Sequence, residues 1–342
     1  MRFLILLAAA LLLPHGAQAH PPTAGLLEMR LPAPHHGRDM AVALWFPAPA
    51  DTPTEAFDGN RVFQPVAVAR DARPLPGAHP VVVMSHGLGG HHRTLAWLAA
   101  GLARAGAVVV AVNHPASSFG DFDLAEGMAH WTRAADLTAA LDHLAADARL
   151  APMLDLSRVA AVGFSYGGWT ALQMGGLRGH LAGFAAHCAQ NAARDRHCGE
   201  LAAGGVDLAA FDPALWDGPH GDARVRRVVA IDPGLTWRLT PAHAADVHAR
   251  ALLIQLGDGA DRLAATDFGP EGSDLAAVLP RAEVLEIAPA AHVSALRLCT
   301  EAGPAMLAEL DDDPVCTDPP GADRAEVHAQ LLAAVVAFLG LK

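Results

Sequence analysis

Val159-Ala160-Ala161-Val162-Gly163-Phe164-Ser165-Tyr166-Gly167-Gly168-Trp169-Thr170-Ala171-Leu172 is the stretch that decides the fold of this chain. The first four residues are apolar and suit a buried strand, and those from Gly168 onward suit a helix. Gly-x-Ser-x-Gly stands between them. That order describes a tight strand-to-helix turn, which lifts a serine hydroxyl clear of the edge of a sheet. Side chains at 163 or 167 would collide where strand and helix cross, so the turn requires glycine at both positions. In a chain with 32 glycines the pentapeptide alone is weak evidence. The strand before it and the helix after it make Ser165 a candidate nucleophile.

Outward from this turn, short apolar runs alternate with helix-length segments, the pattern of a mostly parallel central sheet flanked by helices. Strands are expected at Met40–Phe46, Val81–Ser85, Ala107–Val112, Val159–Phe164, Val228–Ile231, Ala251–Leu256 and Ala282–Ile287. The runs Val81-Val82-Val83 and Val108-Val109-Val110 read as fully buried central strands. Helices are expected at Thr94–Ala105, Ala129–Ala146, Gly168–Met174 and Ala325–Leu339. Two segments break the alternation. Thr52–Leu75 is polar and proline-bearing and reads as a long surface loop. Gly176–Ala223 follows the serine-bearing turn and holds two cysteines. It reads as a cap or lid inserted over the carboxyl ends of the strands, where ligands bind in such sheets.

Bulk properties narrow the setting. Met1-Arg2, the apolar run Phe3–Leu13 and the ending Ala17-Gln18-Ala19 describe a secretory signal peptide over residues 1–19, cleaved after Ala19. That apolar run is shorter than the roughly 20 residues needed to span a bilayer. Residues 20–342 are expected to form one α/β domain. A formal net charge of −12 without a basic cluster argues against nucleic acid and against anionic membrane surfaces as partners. The four cysteines form two local pairs, Cys188 with Cys198 and Cys299 with Cys316. Four cysteines permit three connectivities, and in an exported chain two short-loop disulfides are the simplest. Their spacing does not suit zinc.

A serine hydroxyl needs a base to take its proton, and the base needs an acid to hold its tautomer. For a nucleophile on such a turn the chain order is Ser, then Asp or Glu, then His. Among 19 histidines this selects His292, in the loop Ala288-Pro289-Ala290-Ala291-His292 after the last expected strand. His328 lies in the terminal helix and reads as a surface histidine, as do His91 and His92. His243 and His248 precede the final strands and are poorly placed. The acid has more than one candidate. Asp232 ends the strand Val228–Ile231, while Asp258 and Asp261 follow the strand Ala251–Leu256. Chemistry alone does not choose between these strand ends. An oxyanion forming at Ser165 needs two backbone N–H donors. Tyr166, the residue after the nucleophile, supplies one, and the loop Ser85-His86-Gly87-Leu88-Gly89-Gly90 supplies the other. That loop lacks the Lys-Ser/Thr ending of a nucleotide-phosphate loop. Trp97, Trp131, Trp169 and Trp216 read as core.

Ser85-His86-Gly87-Leu88-Gly89-Gly90, Arg93-Thr94 and Ala111-Val112-Asn113-His114-Pro115, taken with Gly163–Gly168 and Ala291-His292, resemble one group of the α/β-hydrolase superfamily. The group is that of platelet-activating factor acetylhydrolases and predicted dienelactone hydrolases. The resemblance covers roughly Pro80 to Leu339 and is weakest across Gly176–Ala223. It implies an α/β-hydrolase fold, Ser165 as nucleophile, His292 as base and the amides of Leu88 and Tyr166 as oxyanion hole. It favours Asp232 as the acid, following the acetylhydrolase branch, while the dienelactone hydrolase branch keeps Asp261 as the alternative. This chain carries Ser where true dienelactone hydrolases carry Cys, so their substrate is not inherited.

The expectation is a secreted or periplasmic serine hydrolase cleaving carboxylic esters through a Ser-His-Asp triad and an acyl-enzyme. It would require no metal and no organic cofactor, act on a small-molecule ester (lipid-like esters included) and have no stable membrane anchor. Two other readings stand beside it. One is a catalytically silent hydrolase fold that binds a ligand, and the other is a serine peptidase on the same three residues.

Overall fold

The computed structural model describes residues 21–342, and the signal peptide expected over residues 1–19 lies outside the described residues. Two long strands, β1 (Thr23–Ala33) and β2 (Arg38–Ala48), open the fold as an antiparallel hairpin, followed by short β3 (Glu55–Phe57) and β4 (Val66–Arg70). β5 (His79–Ser85) leads through α1 (Ala96–Arg104) to β6 (Val108–Val112). A two-residue ribbon, β7 (Ser117–Ser118) with β8 (Asp121–Phe122), and one turn of helix, α2 (Leu124–Gly127), precede α3 (His130–Ala146). Then come β9 (Leu154–Phe164) and α4 (Tyr166–Met174), the strand and helix of the serine turn. Three helices follow: α5 (Leu181–Asn191), α6 (Arg196–Ala203) and α7 (Pro213–Trp216). The chain closes with β10 (Val225–Ile231), β11 (Arg250–Leu256), α8 (Leu275–Val278), β12 (Glu283–Ile287), α9 (Gly303–Glu309) and α10 (Arg324–Leu339).

The strands form one sheet in the order β12-β11-β10-β9-β5-β6-β2-β1-β4-β3. From β12 to β6 every neighbouring pair is parallel, whereas β2 joins β6 antiparallel. Winding reverses at β5, which has β6 on one side and β9 on the other, so the carboxyl ends of β5 and β9 flank the crevice where such sheets bind ligands. The all-apolar runs explain the layering. Side chains alternate faces along a strand, so Val81, Val83, Val108 and Val110 join Leu137, Leu141 and Trp169 on one side. Val82, Met84, Val109 and Ala111 join Leu98, Leu102, Val327 and Leu331 on the other. Each buried Val, Leu or Met among them contributes about 1.5–3 kcal/mol relative to exposure, and burial on both faces fixes the register.

Each expected strand and helix is present with ends displaced by a few residues. The segment Thr52–Leu75, expected to be a surface loop, instead contains β3 and β4, and β4 extends the sheet beside β1. These edge strands are short and bury only Phe57, Val68 and Ala69, so they lack the apolar run by which a central strand is recognised. β1 also went unanticipated. His328 is not a surface residue: it is buried, stacks on Trp97 at 3.7 Å between ring centroids, and bonds the Leu296 carbonyl at 2.8 Å. His92 is buried as well, and its backbone N–H donates to Asn113 Oδ1 at 2.7 Å. Trp169 and Trp216 are core, as expected, while Trp97 and Trp131 are half-buried.

Candidate active site

Ser165 sits at φ 57°, ψ −123°, a conformation side-chain-bearing residues rarely adopt. Its N–H donates to the Ile231 carbonyl at 2.8 Å, and the glycines around it let strand and helix meet at this angle. A Cβ at Gly163 would fall on the Gly167 carbonyl, and a Cβ at Gly167 on the Ser85 carbonyl. A Cβ at Gly87 would lie 3.3 Å from that of Ser165, so the β5 loop passes directly over the serine.

The histidine loop brings His292 to Ser165. The serine hydroxyl donates to His292 Nε2 at 3.0 Å, and His292 Nδ1–H donates to Asp232 Oδ2 at 2.8 Å. The imidazole packs on Phe164 at 4.5 Å between ring centroids. Ser294 anchors the loop by accepting the Ala291 N–H at 2.9 Å and donating to Asp318 at 2.6 Å.

Asp232 directly follows β10 at φ 45°, which turns its carboxylate across the top of the sheet. It is fully buried, so every lone pair needs a partner. Leu256 N–H donates to Oδ1 at 2.7 Å and Gln255 Nε2 at 2.9 Å, while Thr266 donates to Oδ2 at 3.3 Å. Asp261, the alternative acid, lies exposed on the turn after β11, and among the described residues it makes no bond to His292. Asp258 is likewise exposed on that turn.

Leu88 and Tyr166 both line the same cleft. Among the described residues neither N–H finds an acceptor, as an oxyanion-binding pair would require. The loop that carries Leu88 is braced from beneath by Arg133 of α3, a residue the sequence reading passed over. Fully buried, its guanidinium donates to the His86 carbonyl, to Ser85 Oγ at 3.0 Å, to Ser117 Oγ at 2.6 Å and to Thr170 Oγ1 at 3.1 Å. It also lies over the Tyr166 ring at 4.5 Å. Burial lowers its pKa to about 10, so it stays charged at neutral pH. Burial, with Arg133 nearby, pushes His114 down to about 4 and His86 well below its ordinary value, which keeps both rings neutral. The available signal was an arginine and Asp136 on the apolar face of α3, beside Ala134 and Leu137.

The cleft has a volume of about 380 Å³. Phe164, Leu88, Leu263, Val293 and Leu296 supply apolar walls, and Arg196, His197 and Glu200 of α6 face Asp313, Pro314 and Val315 at the rim. Both local cysteine pairs are disulfide-bonded, Cys188 to Cys198 between α5 and α6, and Cys299 to Cys316 around α9. Among the described residues no helix is long and apolar enough to cross a membrane.

Comparison with known proteins agrees with the fold. The family model for platelet-activating factor acetylhydrolase, isoform II, matches residues 59–120, which include the β5 loop but stop short of Ser165. No curated protein sequence matches the chain. Among solved structures, a ferulic acid esterase from Streptomyces cinnamoneus is similar with TM-score 0.59 and 19% identity, over 95% of this chain and 90% of that one. A dienelactone hydrolase-like promiscuous phosphotriesterase from metagenomic libraries is similar with TM-score 0.52 and 17% identity, over 93% of this chain and 98% of that one. The chain therefore has the α/β-hydrolase fold. Residues 59–120 resemble the platelet-activating factor acetylhydrolase family in sequence, and the fold is similar to that of a dienelactone hydrolase-like protein.

Proposed function

We propose that this protein is a serine hydrolase of carboxylic esters, with Ser165, His292 and Asp232 as its triad. The observation that carries the reading is the unbroken line of hydrogen bonds from Ser165 Oγ through His292 to a buried carboxylate, at 3.0 and 2.8 Å. In this reading Ser165 Oγ attacks the ester carbonyl as His292 Nε2 takes its proton, and Asp232 stabilises the imidazolium. The Leu88 and Tyr166 amides receive the oxyanion, each worth about 3 kcal/mol to the transition state. Collapse of the tetrahedral adduct expels the alkoxide, which takes the proton back from His292. Water, deprotonated by the same nitrogen, then attacks the acyl carbon, and the bond to Ser165 Oγ breaks as that oxygen takes the proton back from His292, releasing the acid. The apolar walls favour an acyl or alcohol portion with hydrocarbon character, lipid-like esters included, and the segment 176–223 acts as the cap that bounds it. The two disulfides and the leader-like residues 1–19 support export to the periplasm or the outside of the cell.

Fluorophosphonate labelling tests this directly. The expected adduct lies on Ser165, and Ser165→Ala should lose both the label and ester turnover while its thermal melt stays near that of the wild type. A folded wild-type protein that neither labels nor hydrolyses p-nitrophenyl esters would overturn the assignment.

A further inference from the structure

Away from the Ser165 cleft, the β1–β2 hairpin turns through one 3-10 turn, Pro34–His36, closed by Gly37 in the left-handed region at φ 65°. This tight geometry does something unusual with two consecutive histidines: it aims both at one carboxylate. His35 Nε2 lies 2.8 Å and His36 Nε2 3.3 Å from the same atom, Oδ1 of Asp136 on α3. Asp136 is fully buried, and the three ligating atoms all lie within 4.8 Å of one another. His36 Nε2 is also buried, its side chain only 5% exposed, yet its orientation gives it no hydrogen bond. A buried imidazole nitrogen that lies 3.3 Å from a carboxylate oxygen and makes no hydrogen bond is a candidate ligand without a partner.

We propose that His35, His36 and Asp136 form a binding site for a divalent cation of the zinc class. Two imidazoles and one carboxylate are a zinc donor set, and tetrahedral bonds of about 2.0 Å put neighbouring donors about 3.3 Å apart. The 3.3 Å separation of His36 from Asp136 matches that edge, and at His35 the ion would replace the proton of a 2.8 Å hydrogen bond as the two atoms spread. His35 is partly exposed and leaves a path for the ion and a water in the fourth position. The carboxylate is oriented from behind, since His114 Nδ1–H donates to Asp136 Oδ2 at 2.8 Å. Support of this kind from the far oxygen is what metal-ligating carboxylates receive. His114 in turn bonds Ser85 Oγ at 2.9 Å, the hydroxyl that also accepts from Arg133. A bound cation would therefore pin the hairpin turn to α3 and hold Asp136 in the network beneath the β5 loop.

The site does not depend on any reading of the Ser165 cleft, and the test keeps the two apart. Chelator-stripped protein would be titrated with Zn2+ by calorimetry and with Co2+ by visible absorption. The expected result is one Zn2+ per chain, a four-coordinate Co2+ spectrum and a melt raised by Zn2+. Ser165→Ala should behave identically. His35→Gln and His36→Gln, both in a surface turn, should each weaken binding at least about tenfold and abolish the melt increase. Absence of a stoichiometric Zn2+ site, or binding unchanged in both glutamine variants, would overturn the proposal and leave a histidine–carboxylate hydrogen bond only.

Discussion

The floor of the Ser165 cleft is held by main chain and steric exclusion, whereas its opposite wall is held by side chains and disulfides. On the floor, Gly163 and Gly167 let chain segments approach closer than any Cβ allows, Gly87 leaves only a tight fit over Ser165, and Ser165 and Asp232 both sit at positive φ with their N–H groups bonded to neighbouring strands. On the opposite wall, the Cys188–Cys198 bond staples α5 to α6, and Asp195 caps α6 while accepting from His187 at 2.9 Å. Arg196 then reaches Asp313, inside the loop closed by Cys299–Cys316, through bonds of 2.8 and 2.7 Å. Both partners are more than half exposed, and such pairs contribute about 0–1 kcal/mol. The Arg196–Asp313 pair can open at little cost, while Phe184, Leu201 and Trp216 tie the cover into the core.

The sharpest way to break this contrast is through the acid. Asp232→Asn keeps the shape of the side chain but removes the charge that holds the His292 tautomer, so kcat should fall by about 10³–10⁴-fold. Asp261→Asn, on an exposed turn, should remain near wild type. Steady-state rates on a p-nitrophenyl ester decide it. An equal loss in both variants would mean that the floor geometry around Asp232 does not govern the reaction.

The next effect belongs to the cover. Replacing Cys188 and Cys198 together by Ser opens a loop whose ends are separated by 10 residues, which should cost about 3 kcal/mol in the chain-entropy account. Urea unfolding measures the cost. Fluorophosphonate labelling of the folded variant should persist, because Ser165, His292 and Asp232 draw nothing from that staple. Loss of labelling at full folding would show that floor and cover are one unit.

The same contrast explains what the sequence disclosed. Steric demand leaves a residue signature, so Gly163, Gly167 and the Gly-rich β5 loop mark the floor, and chain order then singles out His292. Chain order could not separate Asp232 from Asp261, because each follows the end of a parallel strand. What separates them is backbone conformation at Asp232, together with donors from Leu256, Gln255 and Thr266, and these have no local pattern. The cover is equally silent. α6 reads Arg-His-Cys-Gly-Glu-Leu-Ala-Ala, and its start rests on the Asp195 cap and the disulfide rather than on an apolar run. Arg133 and Asp136 were visible as charges on a buried helix face, but only tertiary packing reveals that they brace the β5 loop and meet His35 and His36.

The smallest expected effect lies at the joint between the two regions. His130, at the start of α3, is fully buried with its ring 4.5 Å from Trp216 of α7 and 5.6 Å from Trp169 of α4. Its Nδ1 accepts from Gln173 at 2.8 Å, and its Nε2 is buried without a partner. A charge there would go unsolvated, so burial lowers its pKa from 6.5 to about 3. Between those values the unfolded chain binds a proton that the folded chain refuses. The stabilisation is therefore complete above pH 6.5 and is lost as pH falls towards 3, by about 2 kcal/mol at pH 5. Other buried histidines, His114 and His328 among them, are also pushed down by burial, to about 4, and steepen the acid limb in any variant that retains them. The informative quantity is thus a difference: unfolding free energy at pH 7.5 minus that at pH 5, compared between wild type and His130→Gln. The wild type should lose about 2 kcal/mol more than the variant on acidification. Equal losses would mean that a protonated His130 is solvated in the folded state, which requires Trp216 and the cover to move away from α3 while the floor stays in place.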